Sequence, residues 1–145
     1  MPRLREAIHR LLRGEAPPPP VASLVGFRLT AAEAGRAVVA FEATGHHANP
    51  MGTLHGGILC DVADAAMGMA YASTLDADET FTTLELKINF LKPVRTGHLT
   101  ATGRVVKAGR TVGLVECDVV DEKDHLVARA SSTCMTLRGT DAVGR

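Results

Sequence analysis

The hydrophobic positions of this chain change period three times. Residues 3–13 repeat at helical spacing, with Leu4, Ile8, Leu11 and Leu12 on one side and Arg3, Arg5, Arg10 and Arg13 elsewhere. Pro17 to Pro20 stop that helix and form a stiff connector. Residues 21–25 make a helical turn before Gly26. Residues 27–30 and 37–43 read as strands. From Ile58 to Tyr71 the chain is apolar almost without a break, which predicts a buried helix over about residues 57–73. Residues 82–91 then alternate. Leu84, Leu86, Ile88 and Phe90 point to one face, and Thr83, Glu85, Lys87 and Asn89 to the other. Further strands follow at 99–107, 111–120 and 126–137, separated by Ala108-Gly109 and by the polar run 121–124.

Two strands, one long helix and then four strands in a meander make an α+β arrangement. About six antiparallel strands wrap a single central helix. The length suits one domain. Residues 1–20 form an N-terminal helix with its Pro-rich connector, 21–138 the folded domain, and 139–145 a flexible tail.

Charge narrows the possible partners. Sixteen basic and sixteen acidic side chains cancel, so no basic face for nucleic acid is expected. No apolar stretch is long enough to span a membrane, and the Arg-rich start lacks the apolar core and cleavage site of a signal peptide. Residues 3–13 are expected to pack on the domain rather than on a lipid surface. Cys60, Cys117 and Cys134 are odd in number and contain no CxxC pair, so they read as free thiols of a cytoplasmic protein and not as zinc or redox ligands.

The candidate chemistry lies between Asn49 and Asp64. Pro50 and Gly52 mark a loop that runs into the long helix. Gly56 and Gly57 leave backbone N–H groups bare at the positive end of that helix. Asp61 and Asp64 interrupt its apolar run, where a carboxylate is costly without a partner. His46 and His47 read as exposed loop residues. No HxxxH or HExxH spacing suggests a metal and no GxSxG elbow suggests a serine nucleophile, so neither metal nor cofactor is expected.

The pattern Asn49…His55-Gly56-Gly57…Asp64 resembles the hotdog-fold acyl-CoA thioesterases of the PaaI (phenylacetic acid degradation-related) type. The run from Glu85 to Val94 is similar to that family's third strand, and Gly103 and Gly109-Arg110 to its later strands. The resemblance covers about residues 20–137. It implies an obligate homodimer, often paired into a homotetramer, with active sites at the subunit interface and acyl or aryl thioesters of coenzyme A as substrates. It implies Gly57 N–H as the oxyanion donor, flanked by Gly56, with His55 orienting the loop or thioester. Asp64 becomes the base or nucleophile, and Asn49 and Thr83 hold the water or thioester. Some relatives carry a hydroxyl residue one turn after the acid, where this chain has Gly68. Asp61 is a rival acid at the wrong spacing from His55, and could instead bind the Asn49 loop.

Gly57 and Asp64 are seven residues apart, about 10 Å along a helix. One carbonyl cannot lie against both, so the two groups are expected from different subunits. Lys92, Arg95, Lys107 and Arg110 are candidate partners for the coenzyme A phosphates, and the acyl pocket is expected near Met51, Met67, Met69 and Tyr71. Two other readings use the same fold. An enoyl-thioester hydratase is disfavoured by the Gly that follows His55, and a non-catalytic acyl-CoA-binding module would keep the pocket without the reaction.

Overall fold

The computed structural model describes residues 3–145. Helices α1 (Arg3–Leu12) and α2 (Pro20–Val25) precede strands β1 (Phe27–Glu33) and β2 (Arg36–Ala43). The long helix α3 (Gly56–Ala72) comes next, followed by β3 (Thr80–Phe90), β4 (Gly97–Ala108), β5 (Val112–Val120) and β6 (Leu126–Leu137). All six strands join one antiparallel sheet that packs around α3.

The strand order is β1-β2-β4-β5-β6-β3, which corrects the expected four-strand meander. Of the four strands after α3, only β4, β5 and β6 follow one another in the sheet. β3 pairs with β6, and β4 pairs with β2. The reason lies in residues 91–96. Leu91 and Lys92 both donate their N–H to Val127 O at 2.9 and 3.1 Å, and Pro93 then has no N–H with which to continue pairing. The chain leaves the sheet there, receives the Leu54 N–H at Val94 O (2.7 Å), and re-enters beside β2.

Alternate residues of the inner strands fill the core, Val39, Phe41, Leu99, Ala101, Val115, Cys117 and Val119 among them. The helix rests on β4 without an intervening side chain. A Cβ placed on Gly103 would lie 2.4 Å from Ala66 O, so only glycine permits this approach. On the next strand Tyr71 lies over Gly113. The Tyr71 hydroxyl meets Thr136 Oγ1 at 2.7 Å, and its ring stands edge-on to Phe81.

The helix is not wrapped all round, as its composition predicts. Leu59, Val62, Ala63, Ala66, Met67 and Ala70 are buried, whereas Gly57, Asp61 and Asp64 are exposed. The two acids therefore sit on an open stripe and not in the core.

A second correction concerns β3. The register against β6 shifts between Thr83 and Glu85, so Leu84 bulges outward and is 55% exposed. The extra residue switches which positions face α3. Phe81 and Thr83 approach the helix before the bulge, and Leu86, Ile88 and Phe90 do so after it. Thr83 and Leu86, expected on opposite faces, share one.

His47 is also not the exposed loop residue expected, although His46 is. Thr44 N–H donates to His47 Nδ1 at 3.0 Å, which places the ring proton on Nε2, 2.7 Å from Val25 O. The same residue's carbonyl accepts the His55 N–H at 2.9 Å. His47 thus ties α2, the end of β2 and the loop before α3 together.

Helix α1 packs on the domain, as expected. Ile8 of α1 is buried and Leu4 packs against the core. Arg138 bonds Glu79 Oε1 at 2.7 Å and Arg110 O at 2.6 Å. A short 3₁₀ turn forms at Gly139–Ala142.

The contact at Gly103 generates a prediction. Gly103→Ala should destabilise the fold by about 2–3 kcal/mol in urea unfolding, because helix backbone cannot yield to the added methyl. Gly45→Ala, with nothing within 4 Å of the new atom, should stay within about 0.5 kcal/mol of the parent.

Candidate active site

The loop before α3 is shaped by Asn49. Its Oδ1 accepts the N–H groups of Met51 (3.0 Å) and Thr53 (3.1 Å), and its Nδ2 donates to Thr53 Oγ1 (2.8 Å). Asn49 N–H also donates to Thr53 O at 2.7 Å, and Gly52 turns the chain with φ +83°. Every hydrogen bond of Asn49 stays within its own loop. The residue positions the stretch leading to His55.

His55 is the N-cap of α3. Its Nδ1 accepts the Gly57 N–H at 2.9 Å. The Gly57 N–H, expected bare, is therefore occupied by the chain's own imidazole. At both following positions a side chain would press on a neighbouring ring. A Cβ on Gly56 would lie 2.7 Å from the Phe90 ring, and one on Gly57 would lie 3.0 Å from His55 Nδ1. Phe90 thus covers the helix start, a placement the sequence reading missed. Its only signal is the alternation that puts it in line with Leu86 and Ile88.

The open stripe of α3 carries Gly57, Asp61 and Asp64 at spacings of four and three, which is one helix face. Thr83 Oγ1 donates to Asp64 Oδ1 across a long 3.4 Å. Burial pushes the Asp64 carboxyl above the ordinary carboxylate range. The Thr83 bond opposes this, and the charge of Asp61 adds to it. Although Asp64 is exposed as a residue, its carboxyl is recessed beside β3. Cys60, Thr83, Leu84 and Leu86 line that side as an open depression of about 340 Å³. Cys60 is pushed up by burial and by the two acids, which keeps it a thiol. No hydrogen bond joins Asp61 to the Asn49 loop. On the other flank of the stripe a larger trough of about 820 Å³ separates α3 from β1 and the segment after α1.

The basic candidates divide between the two ends of the helix. Arg95 Nη1 donates to Gly52 O at 3.2 Å, and so braces the loop before α3. Lys92 is paired with Asp121 and lies 3.0 Å from His125 Nδ1. The Lys92 bond, more than any other influence, holds the Asp121 carboxyl far below the usual range. Arg110 lies at the β4–β5 hairpin, beside the strand position where Tyr71 meets Gly113. One chain therefore places Arg110, with Lys107, near the far end of α3 from Gly57. Of the expected acyl-pocket residues, Met67 and Tyr71 are core residues and Met51 is 73% exposed. Only Met69 lines the trough.

Residues 51–128, more than half of the chain, match the thioesterase superfamily. The chain belongs to the thioesterase superfamily. Its sheet-wrapped helix is the hotdog fold of that superfamily. Among relatives, 1,4-dihydroxy-2-naphthoyl-CoA hydrolase of Listeria monocytogenes is 30% identical over 75% of this chain and 89% of its own length. The medium/long-chain acyl-CoA thioesterase YigI of Escherichia coli is 30% identical over 57% of this chain and 61% of its own. Among solved structures, a phenylacetic acid degradation-related protein of Ralstonia eutropha superposes with a TM-score of 0.81 at 35% identity. That match covers 88% of this chain and 98% of the other. This superfamily member thus carries the helix start, the acid stripe and the wrapped sheet in a single chain.

Two outcomes follow from the site geometry. His55→Ala removes the α3 cap and should cost about 1 kcal/mol in chemical unfolding, whereas His55→Asn, which keeps a capping acceptor, should recover most of it. Asp121 has a folded pKa depressed below its unfolded value, so its pairing stabilises the fold above the unfolded pKa and is lost as pH falls through the folded one. A Lys92→Met variant should have a lower Tm than the parent at pH 7. The gap in calorimetry should narrow as pH is lowered through the carboxylate range.

Proposed function

We propose that this chain hydrolyses an acyl- or aryl-CoA thioester to the free acid and CoA, as a homodimer with two composite sites. The observation that carries the reading is the open stripe of α3, on which Gly57 and Asp64 face the same way about 10 Å apart. Two copies of α3 laid antiparallel about an axis between Cys60 and Asp61 bring Gly57 of one protomer opposite Asp64 of the partner subunit. The sheet supports such a pairing. β3 is an 11-residue edge strand with no partner on its outer side among the described residues, and Leu84, Phe90 and Leu91 in or beside it are more than half exposed. An exposed edge of this length is a template for a second strand.

In this reading the Gly57 N–H, released from His55, binds the thioester oxygen and stabilises the oxyanion as negative charge develops there. The positive end of α3 adds to that stabilisation and favours an ionised Asp64 on the partner subunit. The Asp64 carboxylate takes a proton from an attacking water, or attacks the carbonyl carbon itself. Either route breaks the carbon–sulfur bond, releases CoA as the thiol and ends in the free acid. Thr83 orients the carboxylate through the 3.4 Å contact. The names of the Listeria and Escherichia relatives support a CoA thioester as the substrate class. Three unpaired cysteines support a reducing compartment.

Thiol release across a panel of short, medium, long and aromatic acyl-CoAs tests the proposal. Asp64→Asn should lower kcat/KM by about 100-fold or more, and Asp61→Asn by far less. Because the Asp61 charge raises the Asp64 pKa, Asp61→Asn should also move the acid limb of the pH–rate profile to lower pH. Binding of acyl-CoA without thiol release from any member would replace hydrolysis with a binding function.

A further inference from the structure

The trough of about 820 Å³ beside the acid stripe has an unusual wall. One side is α3 from Asp61 to Met69, and the floor includes Phe27 and Leu29 of β1 and Val39 of β2. The opposite side runs from the end of α1 into the start of α2, with Leu11, Ala16, Pro17 and Val21 on the lining. This segment is a built wall. Gly14 closes α1 in the left-handed region (φ +69°), and Glu15 N–H returns to Arg10 O at 2.9 Å. Arg13 clasps both Glu15 carboxylate oxygens at 2.7 and 2.8 Å. Three prolines then hold the chain extended until α2 begins.

We infer that residues 11–21 form a gauge for the acyl group, and that the trough takes an extended medium-to-long alkyl chain whose thioester end lies at the acid stripe. The inference rests on the hydrolase reading above and names the substrate of that same site. Lining chemistry selects the occupant. Apart from Glu15 and Arg28 the only charged groups on the wall are Asp61 and Asp64, which repel the phosphate-bearing part of CoA and leave the apolar remainder for hydrocarbon. Length selects within the acyl class. From Asp61 to Met69 the helix runs about 12 Å, several methylenes longer than a single aromatic ring. A volume near the upper part of the roughly 300–1,000 Å³ range of ligand pockets leaves short acyl groups with most of the apolar wall unfilled.

Each methylene that enters the trough should raise kcat/KM about fourfold, so the wild-type profile should climb from butyryl-CoA through octanoyl-CoA to dodecanoyl-CoA. Ala16→Trp fills the trough from the gauge side and should lower the dodecanoyl-to-butyryl ratio by about tenfold or more. Leu11→Ala enlarges it and should move the optimum to longer chains. Thermal melts check that both variants fold. A flat wild-type profile, or an unchanged ratio in a folded Ala16→Trp, overturns the gauge and leaves the hydrolase reading standing. If wild type turns over no thioester, the hydrolase reading fails. The gauge is then read with cis-parinaric acid as a fluorescent probe. Binding by wild type that is lost in Ala16→Trp supports it, and absent or unaltered binding overturns it.

Discussion

The rest of the molecule depends on the contact between α3 and β4 at Gly103. With no side chain between them, helix backbone and sheet backbone meet directly, and the sheet is drawn in close enough to enclose most of the helix surface. Six strands reach round most of α3 but do not close. The gap between the two sheet edges, β1 and β3, is where the helix meets solvent, and its one open stripe is the place where Gly57, Asp61 and Asp64 occur. Polar chemistry and tight packing thus divide the same seventeen-residue helix by face. The apolar composition of α3 is the price of being nearly surrounded, and its two acids occupy the part that is not.

Around this helix the flanking pieces have complementary chemistry. On the β3 side the bulge at Leu84 turns Thr83 toward Asp64 while the strand beyond it still delivers Phe90 to the helix start. On the β1 side the lining is apolar and is completed by the N-terminal segment. The polar flank and the greasy flank meet at Asp64, which lines both depressions. A thioester has the same division, a reactive polar centre joined to hydrocarbon, and this correspondence links the fold to the reaction proposed for it.

Much of this was legible in the sequence because the signals are local. The unbroken apolar run predicts α3, the alternating runs predict the strands within a few residues, and the sequence Asn49 to Asp64 marks the family. What stayed hidden depends on long-range geometry. Nothing near Thr80–Phe90 says that this strand pairs with β6 and not with β4, since both choices satisfy the same alternation. The bulge lacks a glycine or proline to announce it, and Leu84 reads as one more apolar position in phase. The loop bonds of Asn49 were hidden too, because an asparagine side chain can bind the backbone N–H groups a few residues on, here those of Met51 and Thr53, without a mark in the hydrophobic pattern. Pro17 to Pro19 reveal stiffness but not the surface against which the stiff segment lies. The resemblance could mark Arg110 as a charge but not the end of the helix at which it sits.

The His55 cap has a further consequence. The imidazole that accepts the Gly57 N–H is an internal ligand for the same donor that an incoming oxygen would seek. Any such oxygen binds in competition with a group tethered two residues away, at an effective concentration no free molecule matches. The apparent affinity of the helix start is therefore its intrinsic affinity multiplied by the fraction of time that the ring is swung aside. Weak acceptors such as single water molecules gain little foothold there, while a ligand anchored elsewhere along the groove can draw on that anchorage to displace the ring.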